Sequence, residues 1–304
     1  MKYKKLSPDD IQIPNYHTVS LVRMGNEAEI RYCSRINKPT NIKLNSEQYF
    51  NISSGEVRQY KNTAKNRSDS KQSLMKSFQR LRGIITTNVT NTRNVRFVTL
   101  TYKENMQDSH KLYDDFHKFN MRFQRYCKKN GWGNAEYICI IEPQGRGSFH
   151  AHVLYIWEKK APYIPNKKLR ELWGHGHAKI NAINKTGVNG GIANYLIAYL
   201  TDAEIDPEVK DCLPKDSVKE VTGKDGKKKY IAKGARLYMY HSYTKLFRCS
   251  SGIKRPEKTN MLMCEAKKEV AGMEMHYQKA FELQNDDGFA VTVKTLEYRK
   301  NNMV

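Results

Sequence analysis

Residues 137–157, YICIIEPQGRGSFHAHVLYIW, decide how this chain is read. Tyr137–Ile141 is β-branched and aromatic, Pro143, Gly145 and Gly147 interrupt it, and Phe149–Trp157 resumes a second apolar run, so the segment predicts a β-hairpin. Side chains alternate across a strand, which puts His150 and His152 on the same face as Leu154 and Ile156, two imidazoles in an otherwise apolar row. Glu142 ends the partner strand and is placed to join them. Two histidines and a carboxylate from adjacent strands are a candidate divalent-metal set, since imidazole and carboxylate together suit such ions. An isolated His-x-His is more often part of an ordinary polar face, so the rest of the chain has to decide.

The chain is strongly basic: 53 Lys and Arg face 31 Asp and Glu over 304 residues, a formal charge of +22. With a pI of about 9.6 and 19 tyrosines, this predicts a polyanionic partner, nucleic acid first, held by stacking as well as by charge. The length allows one large or two medium domains with a substantial core. A mean hydropathy of -0.76, no apolar run of spanning length and a start MKYKKLSPDD without an apolar leader predict a cytoplasmic protein with no membrane partner. The cysteines (Cys33, Cys127, Cys139, Cys212, Cys249 and Cys264) form no CxxC pair, which argues against a zinc knuckle or redox dithiol and predicts reduced thiols.

Outward from the hairpin, Asn94–Tyr102, NVRFVTLTY, predicts a strand that pairs with the histidine strand, with Phe97, Thr99 and Thr101 alternating against Val98, Leu100 and Tyr102. Asp108–Lys129 repeats Leu112, Phe116, Phe119, Phe123 and Tyr126 at helical steps and stops at Gly131, an amphipathic helix whose aromatic stripe is core. Asn166–Trp173 reads as a short helix and His177–Ile183 as a strand. His175 and His177 form a second His-x-His without a nearby carboxylate, read as turn histidines and as the chief competitor site. Ile192–Asp202, IANYLIAYLTD, predicts a helix with Tyr195 and Tyr199 four apart on one face, a spacing also common in ordinary cores.

Upstream, residues 1–55 predict weak strands, and a helix from about Ser70 carries Leu74, Phe78, Leu81 and Ile85 on one face. Its other face is basic, and Arg67, Lys71, Arg80 and Arg82, with Lys76, are candidate phosphate contacts, although a solvated charged face is an equal reading. Arg146 in the hairpin turn and Lys227, Lys228 and Lys229 in GKDGKKKY are further DNA-contact candidates, the latter in an exposed hairpin or loop. Gly234–Arg255 returns to strand-like character, Met261–Leu283 predicts a helix, and FAVTV near the end a short strand.

In order, then, come a strand FVTLTY at 97–102, EPQGRGSFHAHVL at 142–154 and YLIAY at 195–199. Together these resemble the three motifs of the HUH endonuclease superfamily, in particular the replication initiators of rolling-circle plasmids and of small single-stranded DNA phages of the microvirus and filamentous kinds. The resemblance covers about the middle third of the chain. It implies that His150, His152 and Glu142 hold Mg²⁺ or Mn²⁺, that Tyr195 is the nucleophile, and that Tyr199 is a second tyrosine. Two-tyrosine members usually carry a lysine before the second tyrosine, where this chain has Ala198. It further implies a metal-dependent DNA endonuclease and strand transferase that nicks a single-stranded DNA origin, forms a 5′-phosphotyrosine and leaves a 3′-OH for a host polymerase and helicase. The fold expected is α+β, a central antiparallel sheet carrying the metal site with helices packed on it. The division expected is a basic N-terminal region 1–90, an endonuclease core 91–205 and a basic C-terminal region 206–304 that partly completes the core. Alternatives are a non-catalytic nucleic-acid-binding protein, an HUH relaxase or transposase, and a two-histidine-one-carboxylate iron oxygenase, the last disfavoured by the charge.

Overall fold

A computed structural model describes residues 2–35, 41–45, 47–60, 71–144, 147–183, 193, 202–205, 218–222, 228–232, 236, 239–241, 244–284 and 290–300. The first strands are β1 (Lys2–Leu6), β2 (Thr18–Met24), β3 (Glu27–Cys33), β4 (Asn41–Lys43), β5 (Gln48–Asn51) and β6 (Glu56–Gln59). Helix α1 (Lys71–Asn88), β7 (Val95–Tyr102), α2 (Ser109–Lys129), β8 (Glu136–Pro143), β9 (Phe149–Ile156), α3 (Asn166–Trp173) and β10 (Gly176–Ala182) follow. Then come β11 (Ala203–Ile205), β12 (Val218–Thr222), β13 (Lys228–Ala232), β14 (Phe247–Cys249), β15 (Glu257–Leu262), α4 (Met263–Glu269), β16 (Met273–Gln284) and β17 (Ala290–Lys300). The chain divides into two compact units, Met1–Thr63 with Pro256–Val304, and Ala64–Arg255.

The first unit is built on an antiparallel sheet in the order β1-β16-β17-β3-β2-β15, with Leu296 opposite Ile30 where the end of the chain pairs with its beginning. Val19, Leu21, Ala28, Ile30 and Tyr32 bury one face against Met263, Ala266 and Val270 of α4 and its end. A small sheet β4-β5-β6 belongs to the same unit. The helix expected over Met261–Leu283 is corrected here: only Met263–Glu269 is helical, and β15 and β16 flank it. Gly272, at φ +81°, follows the helix, and beyond it Met273, Met275, Tyr277, Phe281 and Leu283 recur every second residue, a strand period. That strand pairs with β17 from Met273–Lys300 to Gln284–Ala290, so the expected FAVTV piece is the start of an eleven-residue strand.

The second unit carries the candidate site on an antiparallel sheet in the order β10-β7-β9-β8-β14, which bears out the α+β reading at the level of helices on antiparallel sheets. Helix α2 covers one face. Its N-cap Asp108 accepts from the backbone N–H groups of His110 and Lys111 at 2.8 and 3.2 Å, Gly131 lies past its end at φ +71°, and Leu112, Phe116, Phe119, Phe123 and Cys127 are buried on it. They pack with Val98, Leu100, Cys139, Ile141, Val153 and Tyr155 of the sheet and with Leu169 and Trp173 of α3. Helix α1 takes part of the opposite face, where Leu81, Ile84 and Ile85 pack against Val95, Ile138, Ile140 and Leu154. Each of these side chains contributes about 1.5–3 kcal/mol by leaving water.

Strand register makes the α1 face change character along its length. Phe97, Leu154 and Ile138 form an apolar cross-strand row, Thr99, His152 and Ile140 the next, and Thr101, His150 and Glu142 the last. The polar end lies towards the hairpin tip, which is tied to the β7–α2 connection by Phe149 N–H donating to Met106 O at 2.7 Å and Met106 N–H to Ser148 Oγ at 3.2 Å.

Candidate active site

His150, His152 and Glu142 are buried, at 7, 6 and 4 % exposure, on the one sheet face predicted from alternation. The register sets Glu142 directly opposite His150, yet its Oε2 meets Nε2 of His152, the diagonal neighbour two residues on. Diagonal partners across an antiparallel pair are within reach of long side chains. Glu142 Oε1 is ion-paired with Arg236. Phe97, the next residue on the same face of β7, stacks on the His152 ring with centroids 5.4 Å apart and planes 3° from parallel. The edges of both imidazoles are held from β7: Thr99 Oγ1 lies 3.2 Å from His152 Nδ1, and Thr101 Oγ1 3.5 Å from His150 Nδ1.

Burial pushes the His152 pKa down to about 4, so the ring is neutral at pH 7. The cation that matches the Glu142 charge is Arg236, whose own pKa burial lowers; a guanidinium starts so high that it stays charged. Among the described residues no group of three His, Cys, Asp or Glu side chains is gathered so as to hold a metal ion. The expected three-ligand arrangement is therefore not assembled in the structure: Arg236 and His152 engage the carboxylate.

The competitor histidines separate. His175 lies on the α2 side, its Nε2 3.7 Å from buried Asp115 and its ring against Trp173 and Tyr102. Asp115 also accepts from Tyr102 Oη at 2.9 Å and Lys111 Nζ at 2.8 Å; burial would raise its carboxyl pKa, but Lys111, Tyr102 and His175 outweigh that and hold it below the usual range. His177 is exposed and shares the histidine face, opposite Thr101 in the β10–β7 register, with Lys179 opposite Thr99.

Residues 95–204 match the family model of the Replication-associated protein ORF2 group. The matched segment runs from β7 through the histidine hairpin to β11, so it holds all three motifs read from the sequence, and it identifies this part of the chain as a replication-associated protein, consistent with the rolling-circle initiators of small single-stranded DNA phages. No curated protein and no solved structure matches the chain.

Tyr195, Tyr199, Arg67, Arg146 and Lys227 lie outside the described residues, as do the side chains of Lys71 and Lys229. Ala193, two residues before Tyr195 in the matched segment, is buried in the cluster formed by α1 and the histidine face. Arg80 is exposed on α1 and Arg82 half-buried, while Lys228 pairs with Glu220 at 2.9 Å across the β12–β13 hairpin. Sequence reasoning missed Arg236, counted only as part of a basic run, and a cleft of about 430 Å³ that gathers His110, His241, Lys245 and Arg248, with Arg248 3.8 Å over the Tyr113 ring. No local signal marks either, because the chain between residues 236 and 248 meets β8 and α2 only through folding. No helix among the described residues is long and apolar enough to cross a membrane.

Proposed function

We propose that this chain is a replication initiator that nicks and rejoins single-stranded DNA at an origin through a covalent 5′-phosphotyrosine, with Tyr195 as the nucleophile. The observation that carries the reading is the buried convergence of His152 and Glu142, with His150 beside them, inside the segment that matches a replication-associated family.

The donor set fits a divalent cation, Mg²⁺ or Mn²⁺. His152 is neutral through burial, Nδ1 of both rings is turned to a threonine, and Nε2 of His152 and a carboxylate oxygen already meet at one place. Bound by His150, His152 and Glu142, such an ion supplies Lewis acidity and neutralises charge growing on the scissile phosphate. The chain's own residues do the rest. Phe97 and the threonines fix the rings, and α1 with the apolar rows keeps water from their inner side. A phenol with pKa of about 10 has to lose its proton before attacking phosphorus. Its oxygen then forms the new bond to phosphorus while the bond to the 3′ oxygen breaks, and the departing oxygen takes up a proton. The phosphotyrosine conserves the energy of the broken linkage, so a later 3′-OH can reverse the step and join strands, and the freed 3′-OH primes a host polymerase working with a helicase. Tyr199, without a lysine at 198, is the weaker second nucleophile.

The test is incubation with labelled single-stranded origin DNA and Mn²⁺, followed by peptide mapping. The expected result is a covalent adduct on Tyr195 that Tyr195→Phe eliminates and Tyr199→Phe leaves intact in the first cleavage. An adduct on Tyr199 reverses the assignment; salt-sensitive binding with no adduct returns the protein to a non-catalytic DNA binder.

A further inference from the structure

Thr99 and Thr101 have an ordinary explanation, because β-branched residues favour strands. That explanation does not account for both hydroxyls facing an imidazole Nδ1, at 3.2 Å from His152 and 3.5 Å from His150. A neutral imidazole carries one N–H, and the nitrogen that bears it cannot offer a lone pair. At His152, Nε2 meets a carboxylate oxygen of Glu142, which only accepts; the hydrogen is therefore on Nε2, and Nδ1 accepts from the Thr99 hydroxyl. For Nε2 to act as a ligand, the hydrogen has to sit on Nδ1, and whatever faces Nδ1 then has to accept it. A hydroxyl serves both arrangements by rotating its O–H. A carbonyl or carboxylate serves only the second, and a methyl group neither.

We propose that Thr99 and Thr101 are positioning residues that set the tautomer of the two histidines, donating to Nδ1 when Nε2 bonds within the protein and accepting from Nδ1–H when Nε2 ligates a divalent cation. The inference rests on the reading of His150, His152 and Glu142 as the metal-holding set and adds to it the groups that make both rings able to switch. Phe97 complements Thr99: the stacked ring fixes the plane of His152 while the hydroxyl fixes its rotation within that plane.

The experiment uses the full chain without DNA. Mn²⁺ affinity is measured calorimetrically for the wild type, Thr99→Val, Thr101→Val, Thr99→Ser, Thr101→Ser and the double variant His150→Ala with His152→Ala. Valine keeps the strand shape and removes the hydroxyl, and its two variants are expected to lose about 10- to 100-fold in affinity, the range for removing such supporting partners. The serine variants are expected to stay within a few-fold of wild type, and the double histidine variant to bind no Mn²⁺ at the site. In parallel, ¹⁵N spectra of the imidazoles with Mg²⁺ are expected to show the His152 hydrogen on Nδ1, and without it on Nε2, a signature that a purely structural threonine does not produce. Valine variants that bind like wild type, while the double histidine variant does not bind, overturn the proposal and leave the metal reading standing. Equal binding by the wild type and the double histidine variant overturns both. Should the valine variants fail to fold, a wild-type His152 that keeps its hydrogen on Nε2 with Mg²⁺ bound overturns the proposal by itself.

Discussion

Gly176 opens β10 opposite Tyr102, beside the Thr101 that faces His150, and Gly176→Ala tests how closely the two strands must approach. A Cβ there meets Lys103 N at 2.5 Å, Thr101 O at 2.6 Å and the Tyr102 carbonyl carbon at 2.9 Å. All three are backbone atoms, so no side chain can swing away, and β10 has to move off β7 by a fraction of an ångström to an ångström. The backbone is also at φ +151°, outside the range that side chains other than glycine's favour. Overpacking a fitted site typically costs about 1–3 kcal/mol, and a disfavoured backbone conformation about 1 kcal/mol more, so a loss of about 2–4 kcal/mol is expected. The hydrogen bond from Lys103 N–H to His175 O, 3.0 Å, and that from Trp173 Nε1 to Thr101 O, 3.1 Å, are the ones at risk. Urea unfolding followed by tryptophan fluorescence reports on this unit, because the three tryptophans, Trp132, Trp157 and Trp173, all lie in it. Gly174→Ala is the control: Gly174 caps α3 at φ +75° but has nothing within 4 Å of a Cβ, so it carries backbone strain without the clash and is expected to cost about 1 kcal/mol. A Gly176→Ala variant no less stable than Gly174→Ala would refute the close-approach argument.

Replacing His150 and His152 together by alanine is expected to abolish nicking while single-stranded DNA binding, measured by fluorescence anisotropy, stays largely intact, since affinity comes from many Lys and Arg contacts. Lys245→Ala and Arg248→Ala, on the basic cleft, and Lys179→Ala, beside the histidines, are each expected to weaken that binding and flatten its log-log salt slope by about 0.7 for every phosphate no longer neutralised; an unchanged slope removes the residue from the DNA path. Asp115 has a folded pKa below its unfolded value, so its contribution to stability is present above about pH 4, the unfolded range, and disappears as pH falls through the folded pKa; Asp115→Asn is expected to flatten the acid limb of a stability-against-pH curve in that window. Cys127, whose pKa burial pushes up to about 12, and Cys139, raised further by burial, are expected to resist thiol reagents at pH 8 in the native state while exposed Cys33 reacts, as mass spectrometry of labelled peptides will show.

The sequence by itself determined whatever depends on local period and local chemistry. The hairpin, the shared face of His150 and His152, strand β7, the aromatic stripe of α2 and the short helix Asn166–Trp173 follow from alternation, helical spacing and stop residues, and the structure has them there. A strand period is also present over Met273–Gln284, where side chains recur every second residue, but the segment reads as a helix as long as no neighbouring strand is known to pair with it. Its partner, β17, pairs in turn with β3 from the start of the chain, and Leu296 reaches Ile30 across more than two hundred residues, a distance over which pattern carries no information. The same limit governs the site. Alternation aims two imidazoles at one face, but only the register set by three strands turns Thr99 and Thr101 towards them. Arg236 reaches Glu142, and His175 leaves the site for Asp115, because the fold brings those charges together or parts them by a sheet's thickness. Hydrogen bonds and ion pairs act over a few ångströms of space rather than of sequence, and so the groups that tune the histidines belong to the tertiary structure alone.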